Sequence, residues 1–589
     1  MSAPASKVSP ASPVRALAAG HILEDVLFPY PEIPAEERET VSTFLASFRD
    51  FARDHIDSRR FEREHAISDE VIRGLADLGT FGMTIPEAYG GYGFSASQYC
   101  RAMEEVGSTD ASLGILIGGH QSIGMKGLLL FGNEEQKKKW LPALASGEMI
   151  AAFALTEPEA GSDAASIRTT AEYDEKTDTF LLNGNKHWIS NGGFAKFFTV
   201  FARDPKLTEK DAHRRITAFA VTTDLPGVLP GKEEQKLGLK ASSTVPIEFK
   251  NVRVPAFNVI GERGQGFKIA VEVLNTGRTS LAAGCIGGAK AMLRLAAQHA
   301  TQRKQFNTRI ADFEMIRGKF ARMVVGAYAL ESMVYLTSGL VDRGLEDYSL
   351  EGACCKIFGT ETVWGIINEA LQIAGGNGFM EEYPYERALR DSRINMIFEG
   401  TNEILRALVA LTAAREVGED LKEVGRALKA PLSSLGILSD FAARRIKGYV
   451  APGRLTRAAP QLAAEAEIVS RYARAAARFL ETLLLKAGKD VIGKQYQQER
   501  LANVTIDLYA CLAVLSRATS AVQKRGAEKA SEEVRLAKCF VSAAKYRIVG
   551  QLKDMGRNLG EPSSGRDAEH TAIAESAYAS LGYGFDYWT

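Results

Sequence analysis

Apolar residues recur at three- and four-residue steps over residues 36–150, which is the spacing of amphipathic helices. Breakers such as Pro86 and the glycine-rich loop 90–93 interrupt the pattern between segments. The pattern predicts a helical N-terminal domain over 36–150, with helices at 41–54, 69–78, 95–106, 112–129 and 134–145.

After residue 150 the apolar period changes to two, in short segments rich in β-branched and aromatic side chains. Such segments are typical of β-strands, and turns such as Asn183-Gly184-Asn185 separate them. The pattern predicts a β domain over residues 151–260, with strands at 151–156, 168–173, 179–182, 186–190, 197–202, 216–222 and 245–249.

Helical spacing returns after Gly261 in four long segments, and adjacent long apolar helices usually form a bundle. We expect a four-helix bundle over residues 261–415, from helices at 266–302, 310–338, 349–373 and 394–414. Prolines and glycines make 416–460 typical of a linker, and a second helical domain is predicted over 461–589, with helices at 461–488, 496–521 and 528–555.

Composition narrows the class of protein. A chain of 589 residues is too long for one hydrophobic core. Its 72 basic and 72 acidic residues balance, so we expect no nucleic-acid partner. The six cysteines show no metal-ligand spacing, so we expect no metal site, reduced thiols and a reducing, cytoplasmic compartment. No apolar run approaches the roughly 18 to 20 residues of a membrane span.

The first 35 residues are rich in Ala, Ser and Pro, and the first acidic residue is Glu24. Only Lys7 and Arg15 are basic before it, whereas a transit peptide is Arg-rich and amphipathic. We favour a flexible leader over 1–35, with a mitochondrial transit peptide as the alternative.

Glu399 is the first candidate for chemistry, because Ile397 and Phe398 precede it and a Gly-Thr-Asn turn follows it. A carboxylate in a dry pocket has a raised pKa and can act as a base near neutral pH. A glutamate before a glycine can also simply end a helix or face solvent. The local sequence leaves both interpretations open.

Two further segments carry polar or aromatic groups at the expected ends of strands. Residues 154–163, read as a strand and a Pro-, Gly- and Ser-containing loop, would expose N–H and hydroxyl donors suited to a flat polar ring or a phosphate. An ordinary turn is the alternative. Trp188, followed by Ser190, could stack on a cofactor or could be a core tryptophan.

Residues 372–379 contain several glycines, as a nucleotide-binding loop does. They follow a predicted helix rather than a strand, so a Rossmann motif is excluded. The glycines let a helix end closely against another group, and a simple helix C-cap is the alternative.

Residues 156–166 and 372–391 resemble the two signature motifs of the acyl-CoA dehydrogenases, in the family order and about 200 residues apart, with the Glu399 segment just beyond. The resemblance covers residues 36–415. The helical unit after residue 437 resembles the very-long-chain branch of the family, which includes the related complex I assembly dehydrogenase.

This resemblance implies a mostly α fold with a central β domain: a helical N-terminal domain, a β-barrel middle domain, a four-helix bundle and an extra C-terminal helical domain. It also implies that FAD takes a hydride from the β-carbon of an acyl-CoA while a glutamate removes the α-proton, giving a trans-2-enoyl-CoA in fatty-acid β-oxidation. Electrons would pass to electron-transfer flavoprotein, and the protein would form a homodimer.

By the same resemblance Glu399 is the base. The position that carries the base in some branched-chain relatives is Gly277, which has no side chain for it. The residues implied to line the flavin ring are Phe153, Leu155, Thr156, Ser162, Trp188 and Ser190. Those implied at the rest of the FAD are Arg303 and Phe306 from a neighbouring subunit, with Gln372, Gly375, Gly376, Thr401 and Glu403. The implied substrate contacts are Ser162, Asn275, Arg278 and Gly400.

Gly114 and Gly118 stand one turn apart on a helix that the family places beside the acyl tail. Glycine costs a helix about 1 kcal/mol relative to alanine, so two on one face indicate a need for space. That space could serve a long acyl chain, and close helix packing is the alternative.

Residues 437–460 are basic and amphipathic, with Arg444, Arg445, Lys447, Arg454 and Arg457 among apolar side chains. Such a stretch can lie in a bilayer interface, which would place the protein at the inner membrane face, and a solvated linker is the alternative. Two other functions also remain open: an acyl-CoA oxidase that uses O2, and an assembly protein with secondary dehydrogenase activity.

Overall fold

The computed structural model describes residues 11–429, 453–560 and 566–585 of the chain. The chain forms two compact units. The first contains Pro31–Asn402, and the second contains Pro10–Tyr30 together with Glu403–Thr589.

The second unit begins with two short helices, α1 (Pro13–Ala18) and α2 (Glu24–Leu27). Ser12 caps α1 by accepting a hydrogen bond from the Arg15 N–H, and Val14, Leu17 and Leu27 are buried. The prediction of a flexible leader is therefore wrong for residues 11–35, because apolar side chains in this short stretch bury themselves in a core. Residues 1–10 lie outside the described residues.

The N-terminal helical domain of the first unit follows the predicted pattern. Capping boxes, Ser95 with Gln98 and Asn133 with Gln136, begin two of its helices. The predicted helix 112–129 is divided by a π-helical turn, Gly119–Gly124. The helices are α3 (Ala35–His55), α4 (Ser58–Glu64), α5 (Asp69–Asp77), α6 (Ala96–Thr109), α7 (Ala111–Gly118), α8 (Lys126–Phe131) and α9 (Glu134–Ala145).

The middle domain is one mixed eight-stranded sheet. Its strands are β1 (Ala151–Ala154), β2 (Thr170–Asp174), β3 (Thr179–Ser190), β4 (Phe197–Arg203), β5 (Ile216–Thr222), β6 (Val228–Pro230), β7 (Thr244–Pro255) and β8 (Val259–Ile260). The pairing order is β6-β7-β3-β2-β4-β5-β8, with β1 parallel to β4. The predicted barrel is thus observed as a mixed sheet with β6 and β8 at the ends of its pairing order.

Both faces of β4 are buried, which explains its nearly continuous apolar sequence. Phe197 and Phe201 belong to one core cluster, while Phe198 and Val200 belong to another. A strict alternation of apolar and polar residues is therefore absent from this central strand.

Three long helices complete the first unit: α10 (Gly266–Gln302), α11 (Glu314–Asp342) and α12 (Ser349–Ala374). A short hairpin, β9 (Lys304–Gln305) and β10 (Thr308–Arg309), follows α10, and α13 (Gly376–Phe379) and α14 (Pro384–Arg393) follow α12. A Cβ atom at Gly107 of α6 would lie 2.3 Å from the Gly284 oxygen of α10, so glycine permits this close helix crossing.

The fourth helix of the predicted bundle differs from expectation. It is α15 (Asn402–Lys429), which from Glu403 onward belongs to the second unit. Residues 397–401 are not helical, because Glu399 and Gly400 adopt φ angles of 59° and 87°. The linker prediction is wrong for 416–429, which continue α15, and residues 430–452 lie outside the described residues.

The C-terminal helices are α16 (Ala463–Ala487), α17 (Gln495–Arg525), α18 (Ser531–Gly560) and α19 (Arg566–Ala579). The core of this unit includes Ala18, Ala410, Leu480, Leu501 and Met555. A mostly α fold with a central sheet and an added C-terminal helical domain is thus confirmed.

Two helices, Glu314–Asp342 and Gln495–Arg525, are long and apolar enough to cross a membrane by length and composition alone. Their apolar windows are 67% and 89% buried inside the fold, as is typical of core helices. The sequence analysis did not predict apolar stretches of this length, and in this structure they pack mostly inside the fold. All six cysteines are free, and five of them are buried.

Candidate active site

Glu399 lies in a sharp turn between α14 and α15. Its positive φ of 59° is uncommon for a residue with a side chain and is followed by Gly400 at 87°. Two buried cations hold this turn. Arg278 Nε donates to the Glu399 carbonyl oxygen at 3.3 Å, and Lys356 Nζ donates to the Gly400 carbonyl oxygen at 2.9 Å. The strained turn is thus stabilised by contacts from α10 and α12.

The Glu399 side chain is half-buried, and its Oε2 atom is buried with no hydrogen-bond partner among the described residues. Burial raises the pKa of Glu399 to about 7, although the charges of Arg278 and Lys356 lower it. Removal from water disfavours the charged carboxylate more than these two cations favour it. The carboxyl group therefore titrates near neutral pH, and the solvent-facing interpretation of Glu399 is wrong.

Gly277 of α10 lies directly against this carboxyl group. A Cβ atom at Gly277 would be 2.8 Å from Oε2 and 3.2 Å from Cδ of Glu399. It would also be 3.0 Å from Cγ2 of Ile123. Any side chain here would have to displace Glu399, so glycine at this position makes room for the carboxylate.

An apolar cavity of about 270 Å³ opens beside Glu399. It runs between α6, α7, α10, α12 and α14, and its wall includes Ser190 at the end of β3. Its apolar and small lining residues include Met103, Ile115, Leu281, Met292, Leu295, Val363, Ile367 and Phe398. A cavity of this composition suits a hydrocarbon chain whose reactive end lies near Glu399.

Gly114 and Gly118 both line this cavity. A Cβ atom at Gly114 would meet nothing within 4 Å, and one at Gly118 would make only ordinary contacts, the nearest being Met103 Cε at 3.7 Å. Close helix packing therefore does not explain either glycine. Their absent side chains enlarge the cavity.

The two predicted substrate contacts on α10 are joined to each other. Arg278 Nη1 donates to Asn275 Oδ1 at 3.0 Å, and both side chains are buried. Arg278 therefore links Asn275 to the Glu399 turn, a contact that the sequence left in doubt.

The loop after β1, predicted to face a cofactor, is anchored by a buried ion pair. Lys186 Nζ lies 2.8 Å from Glu157 Oε1 and donates to the Leu155 carbonyl oxygen at 3.0 Å. Glu157 Oε1 also accepts the N–H of Thr169 at 3.0 Å. Burial lowers the pKa of Lys186 to about 8 despite its partner. Buried polar contacts thus hold this loop in place, and Ser162 is exposed on it.

Trp188 is 58% exposed, so the core-tryptophan interpretation is wrong. It has a φ of 55° at a register shift between β3 and β7, which turns it away from the core. Among the other predicted ring contacts, Leu155 is buried, Phe153 and Thr156 are half-buried, and Ser190 lines the Glu399 cavity.

The remaining predicted cofactor residues do not line the Glu399 cavity within the described part of the chain. Phe306 is 91% exposed on the β9–β10 hairpin. Gly375 has a φ of 63° and its N–H donates to the Gln372 oxygen, so it does cap α12, yet it and Gly376 border open space. The exposed members of this set are Arg303, Phe306, Gln372, Gly375, Gly376 and Glu403, whereas Thr401 is half-buried.

The sequence analysis missed three residues whose buried polar contacts hold the loop after β1 and the Glu399 turn: Glu157, Lys186 and Lys356. Lys356 is fully buried on α12 between Cys355 and Ile357. A lysine inside an apolar helical run is the signal that could have revealed it. Among the described residues, no group of His, Cys, Asp or Glu side chains is arranged to hold a metal ion.

Family models match four segments of the chain. The acyl-CoA dehydrogenase N-terminal, middle and C-terminal domains match residues 38–148, 152–252 and 264–413. The model described as "ACAD9/ACADV, C-terminal domain" matches residues 460–582. Together these models span both compact units.

Individual relatives agree with these matches. The human very long-chain specific acyl-CoA dehydrogenase, mitochondrial, is 42% identical over 90% of this chain and 82% of its own length. A probable acyl-CoA dehydrogenase of Bacillus subtilis is 35% identical over 91% of this chain and 90% of its own. A crystal structure of an acyl-CoA dehydrogenase complexed with FAD from Bacillus anthracis has a TM-score of 0.77 and 32% identity, covering 92% of this chain and 91% of that one.

Proposed function

Because the chain belongs to the acyl-CoA dehydrogenase family, we propose that it converts long- or very-long-chain acyl-CoA to trans-2-enoyl-CoA in an FAD-dependent reaction of fatty-acid β-oxidation. The observation that carries this proposal is the Glu399 carboxyl group, with an unpartnered buried oxygen beside a long apolar cavity. Family membership supports the reaction class, and the site geometry supports the choice of base.

Glu399 acts as the base that removes the α-proton of the thioester. A pKa near 7 keeps a useful fraction ionised at neutral pH while leaving the carboxylate basic enough to accept a carbon-bound proton. The Glu399 backbone N–H has no acceptor among the described residues, so it is free to donate to the thioester oxygen as enolate charge develops. Arg278 and Lys356 hold the turn in the geometry that both contacts require.

The residues proposed to hold FAD fit a flat ring with polar edges. The anchored loop after β1 presents Ser162 to solvent, and the turned-out Trp188 offers an exposed aromatic face. When bound there, FAD supplies the acceptor for the β-hydride of the acyl chain. Exposure of Arg303, Phe306 and Gln372 leaves them available to the FAD of a second copy, which supports a homodimer with shared cofactor sites.

Preference for long chains is proposed from Gly114 and Gly118. Both border the cavity with no side chain in it, so the acyl tail can extend past them. Burial of four additional methylenes at about 0.8 kcal/mol each adds about 3 kcal/mol, or about two orders of magnitude in affinity.

The electron acceptor is proposed to be electron-transfer flavoprotein, with an acyl-CoA oxidase as the alternative. Reduced protein that is reoxidised only by the flavoprotein would support the dehydrogenase. Rapid peroxide formation in air would favour the oxidase.

A second role in complex assembly is the other candidate, favoured by the match of residues 460–582 to the ACAD9/ACADV C-terminal model. Pull-down of respiratory-complex subunits by wild type and Glu399→Gln alike, together with slow turnover of palmitoyl-CoA, would support it. Fast turnover and no subunit capture would exclude it as the main role.

Membrane contact through residues 437–460 is also proposed, at the inner face of a membrane in the cytoplasm or, alternatively, in mitochondria. Most of this segment falls within 430–452, outside the described residues. Its Arg457 is paired with Asp25 within the second unit, which reduces its availability to lipid. Co-sedimentation with anionic vesicles should fall in a variant lacking 437–452, and equal binding would end the idea.

The decisive experiment is anaerobic addition of palmitoyl-CoA to purified protein. We expect flavin absorbance to bleach in the wild type and to persist in Glu399→Gln, which keeps the shape of the side chain but cannot accept the proton. Glu135→Gln, which neutralises an exposed carboxylate on α9, is the comparison for a general charge effect. Bleaching that persists in Glu399→Gln would move the base elsewhere.

A further inference from the structure

Lys356 is a buried cation without a carboxylate in contact. The side chain is fully buried on α12, and among the described residues its ammonium group has no carboxylate as a hydrogen-bond partner. Its ammonium group instead donates to two neutral oxygens, the Gly400 carbonyl at 2.9 Å and Asn402 Oδ1 at 2.8 Å. Both acceptors belong to the turn that carries Glu399. Burial of a charge is unfavourable unless something nearby compensates it, so this arrangement calls for a function.

The charged and titratable groups around Lys356 come from three elements. They are Glu399 in the turn, Arg278 and Cys285 on α10, and Glu361 on α12 itself. Cys285 is neutral because burial raises its pKa to about 12, and Glu361 is exposed and occupied with the Asn402 amide. The buried charges are therefore two cations, Arg278 and Lys356, and one carboxylate, Glu399.

The Glu399–Gly400 turn has two backbone carbonyl groups that require hydrogen-bond donors. With Glu399 and Gly400 both at positive φ, their carbonyl groups leave the helical hydrogen-bond pattern and point into the protein. Arg278 satisfies the first carbonyl and Lys356 the second. Asn402 then links Lys356 to Thr360 through its amide, at 3.1 Å, at the first residue of α15.

We propose that Lys356 is a positioning residue for the base: its ammonium group fixes the Gly400 carbonyl and so the Glu399 turn, and its charge favours the ionised form of the Glu399 carboxyl group. This inference rests on the proposed role of Glu399. The two cations have different partners. Arg278 also donates to Asn275 on α10, whereas the hydrogen bonds of Lys356 within the described part of the chain go to Gly400 and Asn402.

Two variants separate the two effects. Lys356→Gln can still donate to the Gly400 carbonyl but carries no charge, and Lys356→Met removes both. Loss of this cation should shift the acid limb of the kcat/KM profile to higher pH in both variants, because the Lys356 charge lowers the pKa of the Glu399 carboxyl group in the free protein. At alkaline pH, where the base is ionised in every variant, Lys356→Gln should retain more activity than Lys356→Met.

Lys319→Gln is the matched control, because Lys319 pairs with Glu369 between α11 and α12 on the outer side of these helices. It should leave the acid limb in place. Asn402→Asp keeps Lys356 and adds a negative charge beside its ammonium group, so it should shift the acid limb upward even if neither Lys356 variant folds. All variants are compared at equal flavin content, with palmitoyl-CoA and a dye acceptor.

A second readout does not depend on turnover. The infrared band of the protonated Glu399 carboxyl group, identified by its loss in Glu399→Gln, should disappear at higher pH in Lys356→Gln than in wild type. An unshifted band together with an unshifted acid limb would overturn the inference while leaving Glu399 as the base. Full bleaching of the flavin in Glu399→Gln would instead overturn the proposed function itself.

Discussion

Gly277→Ala should slow the reaction without unfolding the protein. The added Cβ atom would lie 2.8 Å from Glu399 Oε2, whereas ordinary contacts of a Cβ atom begin at 3.4 Å. The carboxylate must therefore move by about 0.6 Å or the helix must shift. Because a misplacement of about 1 Å can cost about a hundredfold in rate, we expect kcat to fall between about 10- and 100-fold.

The stability of the variant should change little. Alanine is favoured over glycine in a helix by about 1 kcal/mol, which offsets part of the steric cost at Glu399. Gly318→Ala on α11 is the matched control, since the nearest atom to its new Cβ is Arg322 Nη1 at 3.5 Å. That control should gain the same helix propensity and retain wild-type activity.

The assay is anaerobic flavin reduction by palmitoyl-CoA in a stopped-flow instrument, with thermal unfolding measured in parallel. A slow reduction rate with a smaller change in apparent affinity for substrate is the expected signature, because the new methyl group meets the carboxylate most closely while occupying little of the cavity that Gly277 also lines. Reduction of Gly277→Ala at the wild-type rate would refute the idea that the α10 glycine determines where the Glu399 carboxylate lies.

Four further predictions concern the site and the residues that support it. Since burial raises the Glu399 pKa of the free protein to about 7, wild-type kcat/KM should fall below about pH 7, which a pH–rate profile will show. Because the folded protein holds this proton more tightly than the unfolded chain, whose carboxyl pKa is about 4.5, the stability of the wild type falls as pH rises from about 4.5 to about 7. Glu399→Gln has no such proton to lose, so it should be more stable than wild type at pH 8, by up to about 3 kcal/mol, and equally stable near pH 4.5. Thermal unfolding at both pH values will test this. Gly118→Gln should place an amide in the acyl cavity and shift the preference from palmitoyl- toward octanoyl-CoA, and an unchanged chain-length profile would contradict the proposed role of this space. Lys186→Met leaves the Glu157 carboxylate buried without its cation, which should lower the free energy of unfolding by about 3 to 5 kcal/mol. The variant should therefore release flavin at a lower temperature, as measured by flavin fluorescence on heating. Release at the wild-type temperature would show that the ion pair is dispensable.

The order of domains could be predicted from the chain because apolar periodicity is a local property. Most long helices were predicted within a few residues of their observed ends, as for 266–302 and Gly266–Gln302. The predictions of helix ends were wrong where the local apolar pattern and the tertiary contacts favour different structures. Residues 394–414 read as one helix, yet the helix is interrupted at Glu399, because Arg278 and Lys356 stabilise carbonyl groups that a helix would otherwise use.

The flexible-leader error has a similar origin. Residues 11–30 have too little periodicity to predict a core contribution, but Val14 and Leu17 are buried against the second unit's own helices. Tertiary burial supplied the free energy that the short helices lack by themselves.

The sequence by itself determined most helical and strand segments, because apolar spacing is read directly along the chain, and it made Glu399 a candidate base. The interest of the glycines at 114, 118 and 277 came from the family resemblance. Only the tertiary structure decided that a Cβ atom at Gly277 would meet the Glu399 carboxylate, that Gly114 and Gly118 face an open cavity, that Trp188 is exposed, and that Lys356 is buried beside the Glu399 turn. The physical reason is that desolvation, steric exclusion and charge coupling depend on distances between residues up to 122 positions apart, such as Gly277 and Glu399, and local sequence pattern carries no information about those distances.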